Sequence, residues 1–291
     1  MKKVLFSALI AVCGLLSACQ SDDEFSAATV HEITFQVTNY EQYDLDEFTR
    51  ASGADALDHL VMGVFDAATD AVVGSVTVQN KADGKSSYGT FSVSLPEGRY
   101  RAVFIGYNGN YSCQMSSSTA VSFGNEHVPH TFLSSFELAV DGKTAQTQNV
   151  VLKRAVAAFR VVVNEALPQE LATFQFVNRG GGTALNAQTG FCTEQKERTY
   201  NISVPSSKIG KLGVDVNCYA FLPSEEAAMN ITVNALKSDG SVIKSRTFAD
   251  VPMKVNRLTC YTGNFFAEDE AAAQFRLSVD DAWSDTLNVS F

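Results

Sequence analysis

Residues 89–107 read GTFSVSLPEGRYRAVFIGY, and they decide the fold class. Over residues 89–95 apolar and polar positions alternate, with Phe91, Val93 and Leu95 on one face, which is the period of a strand with one buried side. Pro96-Glu97-Gly98 then forces a reversal, because proline presets a turn-compatible φ and glycine tolerates a positive one. Residues 100–107 return as an apolar strand, with Tyr100 expected to pack back over the turn. The unit is a β-hairpin.

The same rhythm fills the rest of the chain. Residues 31–39, HEITFQVTN, place Ile33, Phe35 and Val37 on one face. After a polar stretch at 40–58, residues 60–65 and 72–78 read as strands with 67–71 as the turn between them. Further strands are expected at 148–152, 155–163, 174–177, 199–204, 214–221, 230–236, 241–248 and 256–261. No segment has the period of a long amphipathic helix, and residues 223–229 and 268–273 are single turns at most. The tail alternates at 275–279, turns around Trp283, and alternates again through Leu287, Val289 and Phe291. An apolar strand at that end must close its own sheet or add to another molecule's. The expected fold is all-β, with about seven strands per half forming two tandem antiparallel β-sandwiches.

Domain organisation starts from the N-terminus. Met1-Lys2-Lys3 followed by the apolar residues 4–16 has the form of an export signal and is too short to span a bilayer. LSACQSDDE at 16–24 sets small residues before Cys19, a pattern that resembles a bacterial lipobox, and then turns acidic at once. The expected divisions are a signal peptide at 1–18, a lipidated acidic tether at 19–30, an N-terminal sandwich at 31–152 and a C-terminal sandwich with a terminal hairpin at 153–291. Lys153-Arg154 is all that separates two strands at that boundary, so a stiff connection is expected.

Charge narrows the partners. Removing residues 1–18 takes away Lys2 and Lys3 and no acid, so the net charge of -10 becomes -12. Nucleic acid and anionic headgroups are disfavoured by that balance. Besides Cys13 and Cys19 there are Cys113, Cys192, Cys218 and Cys260, none in a metal-binding spacing. Cys218 and Cys260 fall on apolar faces and read as buried, which leaves a Cys218–Cys260 disulfide open.

Catalytic signals are weak. His127-Val128-Pro129-His130 is the clustered pair among four histidines, but the proline prevents the helical spacing that aims two rings at one metal, so both read as exposed loop residues. Asp83-Gly84-Lys85-Ser86 contains the end of a phosphate loop, yet Gln79 stands where its first glycine belongs, and the segment reads as a hairpin turn. Gly180-Gly181-Gly182 reads as a loop, and there is no GxSxG serine. Paired carboxylates of the glycosidase type stay open, since no two of the 32 acids are singled out. A glycan platform would need exposed aromatics; Trp283 is the one tryptophan and most of the 20 phenylalanines alternate inward. No catalytic residue, metal or cofactor is therefore expected.

Taken together, the tagged lipobox LSACQSDDE, HEITFQVTNYEQ at 31–42 followed by Thr49-Arg50-Ala51, LVMGVFD at 60–66, SLPEGRYRAVFIGYNG at 94–109, VVLKRAVAAFRVVV at 150–163 and FADVPMKVNRLTCYTGNFF at 248–266 resemble one family. It is that of the fimbrial subunits and fimbrillin-associated anchors of Bacteroidota, the lipoproteins of type V pili. The resemblance implies two transthyretin-like sandwiches, no catalytic site, and export as a lipoprotein to the outer face of the outer membrane. It also implies assembly by β-strand addition, in which a strand of one subunit enters a groove of the next. In polymerising members a trypsin-like protease first removes an N-terminal strand, whereas anchors stay uncut and lipidated.

Laid on this sequence, the mechanism makes residues 31–39 an edge strand over the first core, Arg50 and Ala51 the candidate cleavage site, and Leu287, Val289 and Phe291 the candidate donor strand. The acidic, alanine-rich residues 267–273 before the tail are a flexible arm or a simple connection. Partners are then other fimbrial subunits and the membrane, with host or bacterial surface ligands as further candidates. The alternative is a surface glycan-binding lipoprotein of a nutrient-uptake system.

Overall fold

The protein's computed structural model describes residues 29–41, 57–143 and 147–280. The first half contributes β1 (Val30–Glu41), β2 (His59–Asp66), β3 (Thr77–Asn80), β4 (Thr90–Pro96), β5 (Gly98–Tyr107), β6 (Cys113–Ser117), β7 (Ala120–Phe123), β8 (Thr131–Val140) and β9 (Thr147–Arg154). Seven of these form one sheet in the order β3-β2-β5-β8-β9-β1-β4. The sheet curls until its two ends meet: the Gln79 side chain of β3 donates to the Thr90 carbonyl of β4 at 2.7 Å and accepts from the Gly89 N–H at 2.8 Å. Inside lies a core that includes Ile33, Phe35, Phe91, Phe104, Phe132 and Leu152. The Pro96-Glu97-Gly98 reversal is present as read, and the Tyr100 hydroxyl donates back to the Pro96 carbonyl at 3.0 Å.

Runs that do not alternate have a structural cause here. β2 and β5 are buried almost end to end, because their second face packs against the other half of the chain. Val61, Phe65, Val103, Ile105 and Tyr107 form a seam there with Ala155, Val156, Ala158, Leu185, Phe221 and Leu258. Gly63 sits on that seam face, where an added Cβ would lie 2.5 Å from Met115 Sδ, so close approach requires glycine.

The second half contributes β10 (Ala157–Val163), β11 (Thr173–Arg179), β12 (Ala184–Asn186), β13 (Phe191–Cys192), β14 (Arg198–Ser203), β15 (Val214–Ala220), β16 (Glu226–Leu236), β17 (Val242–Lys254), β18 (Leu258–Gly263) and β19 (Arg276–Asp280), with one helical turn, α1 (Glu270–Ala273). Two four-stranded sheets, β15-β10-β18-β19 and β14-β11-β16-β17, enclose a core built around Phe159, Phe174, Phe176 and Phe248. A further four-stranded sheet, β13-β12-β7-β6, takes two strands from each half and lies over the seam.

The fold is thus all-β and sandwich-like, with one departure from pure antiparallel pairing repeated in each half. β1 runs antiparallel to β4 and parallel to β9; β10 runs antiparallel to β15 and parallel to β18. The opening strand of each half therefore lies parallel beside a late one, β9 in the first half and β18, the strand before β19, in the second.

Several local readings change. Residues 223–229 are not a turn throughout, because β16 begins at Glu226 and pairs with β17 as far as Lys254. Residues 72–78 are not a full strand: Val72 makes a single bridge to Phe65, and Gly74 at φ 76° interrupts the run before β3. The segment after β3 is a short 3-10 turn at Lys81–Asp83 capped by Gly84, and it carries the chain between opposite ends of the curled sheet rather than round a hairpin. β6, β7 and β8, between Tyr107 and Thr147, are strands that the sequence reading did not separate.

Candidate strand-exchange site

The apolar face of β1 is buried as its alternation requires: Ile33 is 1% exposed, Phe35 0% and Val37 7%. Its place in the sheet differs from the expectation. β1 is not an edge strand. It lies between β4 and β9, with Phe35 opposite Phe91 on one side and Gln148 on the other. The reason is topological, since β9 returns parallel to β1 and closes off the side that would have been free. Losing β1 would therefore leave a slot with two unpaired strand edges and an apolar floor. Phe104 of β5, with its ring centroid 5.1 Å from that of Phe35, belongs to that floor.

Towards the other end of the chain, β19 lies on the outer edge of its sheet, paired among the described residues only with β18, and its five residues are all exposed. Leu277 and Val279 are 48% and 47% exposed. The Ala267–Ala273 connection is docked: Asp269 accepts the Ala272 N–H at 2.7 Å, Ala273 is buried, and Arg246 donates to the Phe265 and Ala267 carbonyls at 3.0 and 2.5 Å. Of the two readings of this segment, the simple connection is the one that the geometry supports.

Cys19, Arg50, Ala51, Leu287, Val289 and Phe291 all lie outside the described residues. So does Trp283.

The histidines correct the sequence reading. His130 is 8% exposed, accepts from Arg154 Nε at 2.7 Å and stacks on Tyr219 with centroids 5.3 Å apart. His127 is half-buried and stacks on Tyr111 at 4.0 Å. Burial, reinforced by Arg198, pushes His127 down to about 4, and burial beside Arg154 holds His130 well below its usual value. Both are neutral aromatic packing groups at neutral pH. Their loop looked exposed because the strands that cover it come from the other half of the chain. Among the described residues no cluster of three or more His, Cys, Asp or Glu is placed to hold a metal.

The four described cysteines are free thiols. Cys218 and Cys260 flank β10 on either side, opposite Phe159 and Arg160 respectively. Two strand spacings, about 10 Å, separate them, beyond disulfide reach. Cys218 is buried as expected, whereas Cys260 is half-exposed because Arg160's side of the sheet faces away from the core.

The model of the family of unknown function DUF6562 matches residues 26–290. The chain belongs to that family. No curated protein matches this DUF6562 chain. Among solved structures, a candidate polysaccharide-binding protein from Bacteroides thetaiotaomicron is 12% identical with a TM-score of 0.53, over 87% of this chain and 96% of that one. That likeness is one of fold. The matches also include the tip fimbrial protein Mfa3 from Porphyromonas gingivalis, in a C-terminally truncated form, at 13% identity and TM-score 0.41 over 85% and 99% of the two chains. The fimbrial anchor protein Mfa2 of the same organism is 10% identical with a TM-score of 0.45, over 88% of this chain and 98% of that one.

Proposed function

We propose that this protein is a structural, non-enzymatic subunit or anchor of a cell-surface fimbria with a role in adhesion. In this reading it is exported as a lipoprotein, held at the outer membrane through Cys19, and joined to neighbouring subunits by strand exchange. The observation that carries the reading is the position of β1: an inner strand, apolar on one face, followed by the segment that contains Arg50.

The physics favours exchange over simple loss. A vacated slot would expose two rows of unpaired N–H and C=O groups and large apolar side chains, each of which gains roughly 1.5–3 kcal/mol on full burial. An incoming alternating strand restores both kinds of contact at once. The tail beyond β19, with Leu287, Val289 and Phe291 at alternate positions, is the donor in this scheme.

Treatment with an arginine-specific protease tests it. Cut protein should form heat-labile, detergent-resistant ladders on gels, while an Arg50→Ala variant and a chain shortened by residues 281–291 should stay monomeric. Cut protein that remains monomeric and is retained by a polysaccharide column would favour the glycan-binding alternative. For the anchor, Cys19→Ala should release the protein from membranes.

A further inference from the structure

A cleft of about 1030 Å³ runs between the two halves, at the upper end of the size range of small-molecule sites. Its walls include Tyr111, His127, Arg198, Tyr200, Asn217 and Tyr219, contributed by β14, β15 and the loops around 108–112 and 124–130. Arg198 is the unusual member. It is 6% exposed, donates Nη1 to the Tyr219 carbonyl at 3.3 Å, and stacks its guanidinium carbon 4.0 Å from the Tyr200 ring centroid.

Its Nε and Nη2 have no hydrogen-bond partner among the described residues. Those two atoms form one edge of the guanidinium, with their N–H bonds parallel, so what stands empty is a complete fork of the geometry that takes a carboxylate bidentately. Other buried arginines of this chain have their Nε engaged: Arg154 donates Nε to His130 and Nη1 to Asn256, and Arg246 donates Nε and Nη2 to two carbonyls. Asn178, opposite Arg198 in the β11–β14 ladder, donates to Cys218 Sγ instead. Glu126, the acid whose charge Arg198 feels, is paired with Lys196. Leaving a buried cation's donors unmet is costly, and burial pushes the Arg198 guanidinium down to about 10. The Tyr200 hydroxyl and the Oδ1 of Asn178 are further buried polar atoms here without a partner among the described residues.

Around this fork the cleft offers aromatic faces and side-chain amides rather than a cluster of cations. Asp58 on the wall, its Oδ2 occupied by the Gly109 N–H, also disfavours a polyanion. Aromatic rings suit the C–H faces of a sugar and the amides suit its hydroxyls. We propose that the cleft binds a carboxylate-bearing saccharide, with the carboxylate seated in the Nε/Nη2 fork of Arg198 and hydrogen-bonded by Tyr200. Since both groups are covered, the ligand enters by shifting the Tyr111–His127 stack, which sits on two loops.

Calorimetric titration of the full chain with methyl galacturonoside, which carries a single carboxylate, tests the proposal, beside the matched neutral methyl galactoside, acetate and sulfate. The uronide should bind saturably and at least tenfold more tightly than the other three. Arg198→Met should abolish that preference. Tyr200→Phe, which removes an unpartnered hydroxyl and is checked for an unchanged melting temperature, should weaken uronide binding several-fold even if Arg198→Met fails to fold. Equal affinity for the neutral sugar, equal affinity for acetate or sulfate, no binding of the uronide, or unchanged binding by a folded variant would each overturn it. None of these outcomes depends on subunit assembly, so the two readings fail separately.

Discussion

Phe35 of β1 packs against Phe104 of β5 with ring centroids 5.1 Å apart, and Phe136 lies 6.2 Å from the same ring. This contact ties the opening strand to the centre of the curled sheet. Phe35→Ala should destabilise the protein by about 3–5 kcal/mol, the range for deleting a fully buried aromatic ring. Urea denaturation followed by tyrosine fluorescence or circular dichroism measures it. A loss below 1 kcal/mol would mean that β1 does not seal this core.

The seam gives a second prediction. Gly63→Ala would set a methyl 2.5 Å from Met115 Sδ and 2.9 Å from a Phe65 ring carbon. Overpacking of this kind costs about 1–3 kcal/mol. Met115→Ala in the same chain should return part of the loss, and the double-variant cycle reads the coupling.

Stability should fall with acid because of the seam histidines. Burial holds both below the ordinary histidine value of 6.5 in the folded protein, His127 at about 4. Below pH 6.5 the unfolded chain therefore takes up protons that the folded chain does not. The stability present above that pH is lost as pH drops towards 4, with a slope of up to about 1.4 kcal/mol per pH unit for each histidine. Chemical denaturation at pH 7, 6 and 5 should show the decline, and a His127→Gln, His130→Gln variant should flatten it.

Thiol chemistry checks the sheet order. Burial pushes Cys113 and Cys218 up to about 12, so both should resist alkylation at pH 8 in the folded protein. Denatured without reductant, a chain lacking residues 1–19 should take up four alkyl groups by mass, matching the free thiols. Two missing groups, mapped by peptide digestion to Cys218 and Cys260, would indicate a disulfide between them and contradict the placement of β10.

What the sequence revealed depended on how local each signal was. The alternation of Ile33, Phe35 and Val37 and the reversal at Pro96–Gly98 are set by neighbouring residues, and both are found in the structure. The position of β1 inside its sheet is set by β9, more than a hundred residues later, and no periodicity encodes it. The same holds for His130 and Arg198, whose burial depends on surfaces supplied by the other half of the chain. One local clue was present and could have been used. The apolar runs of β2 and β5 fail to alternate, which is the mark of strands buried on both faces and so of a tightly packed seam.

The central claim is that the place of β1 can be filled by a donated strand. It is tested most directly with a fluorescent peptide of residues 275–291 added to protein cut at Arg50 and run on an unheated detergent gel. The account predicts a labelled complex with cut protein, lost on heating, and none with uncut protein or with a peptide carrying Asp at 287, 289 and 291. Equal labelling of cut and uncut protein, or no labelling of either, would contradict it.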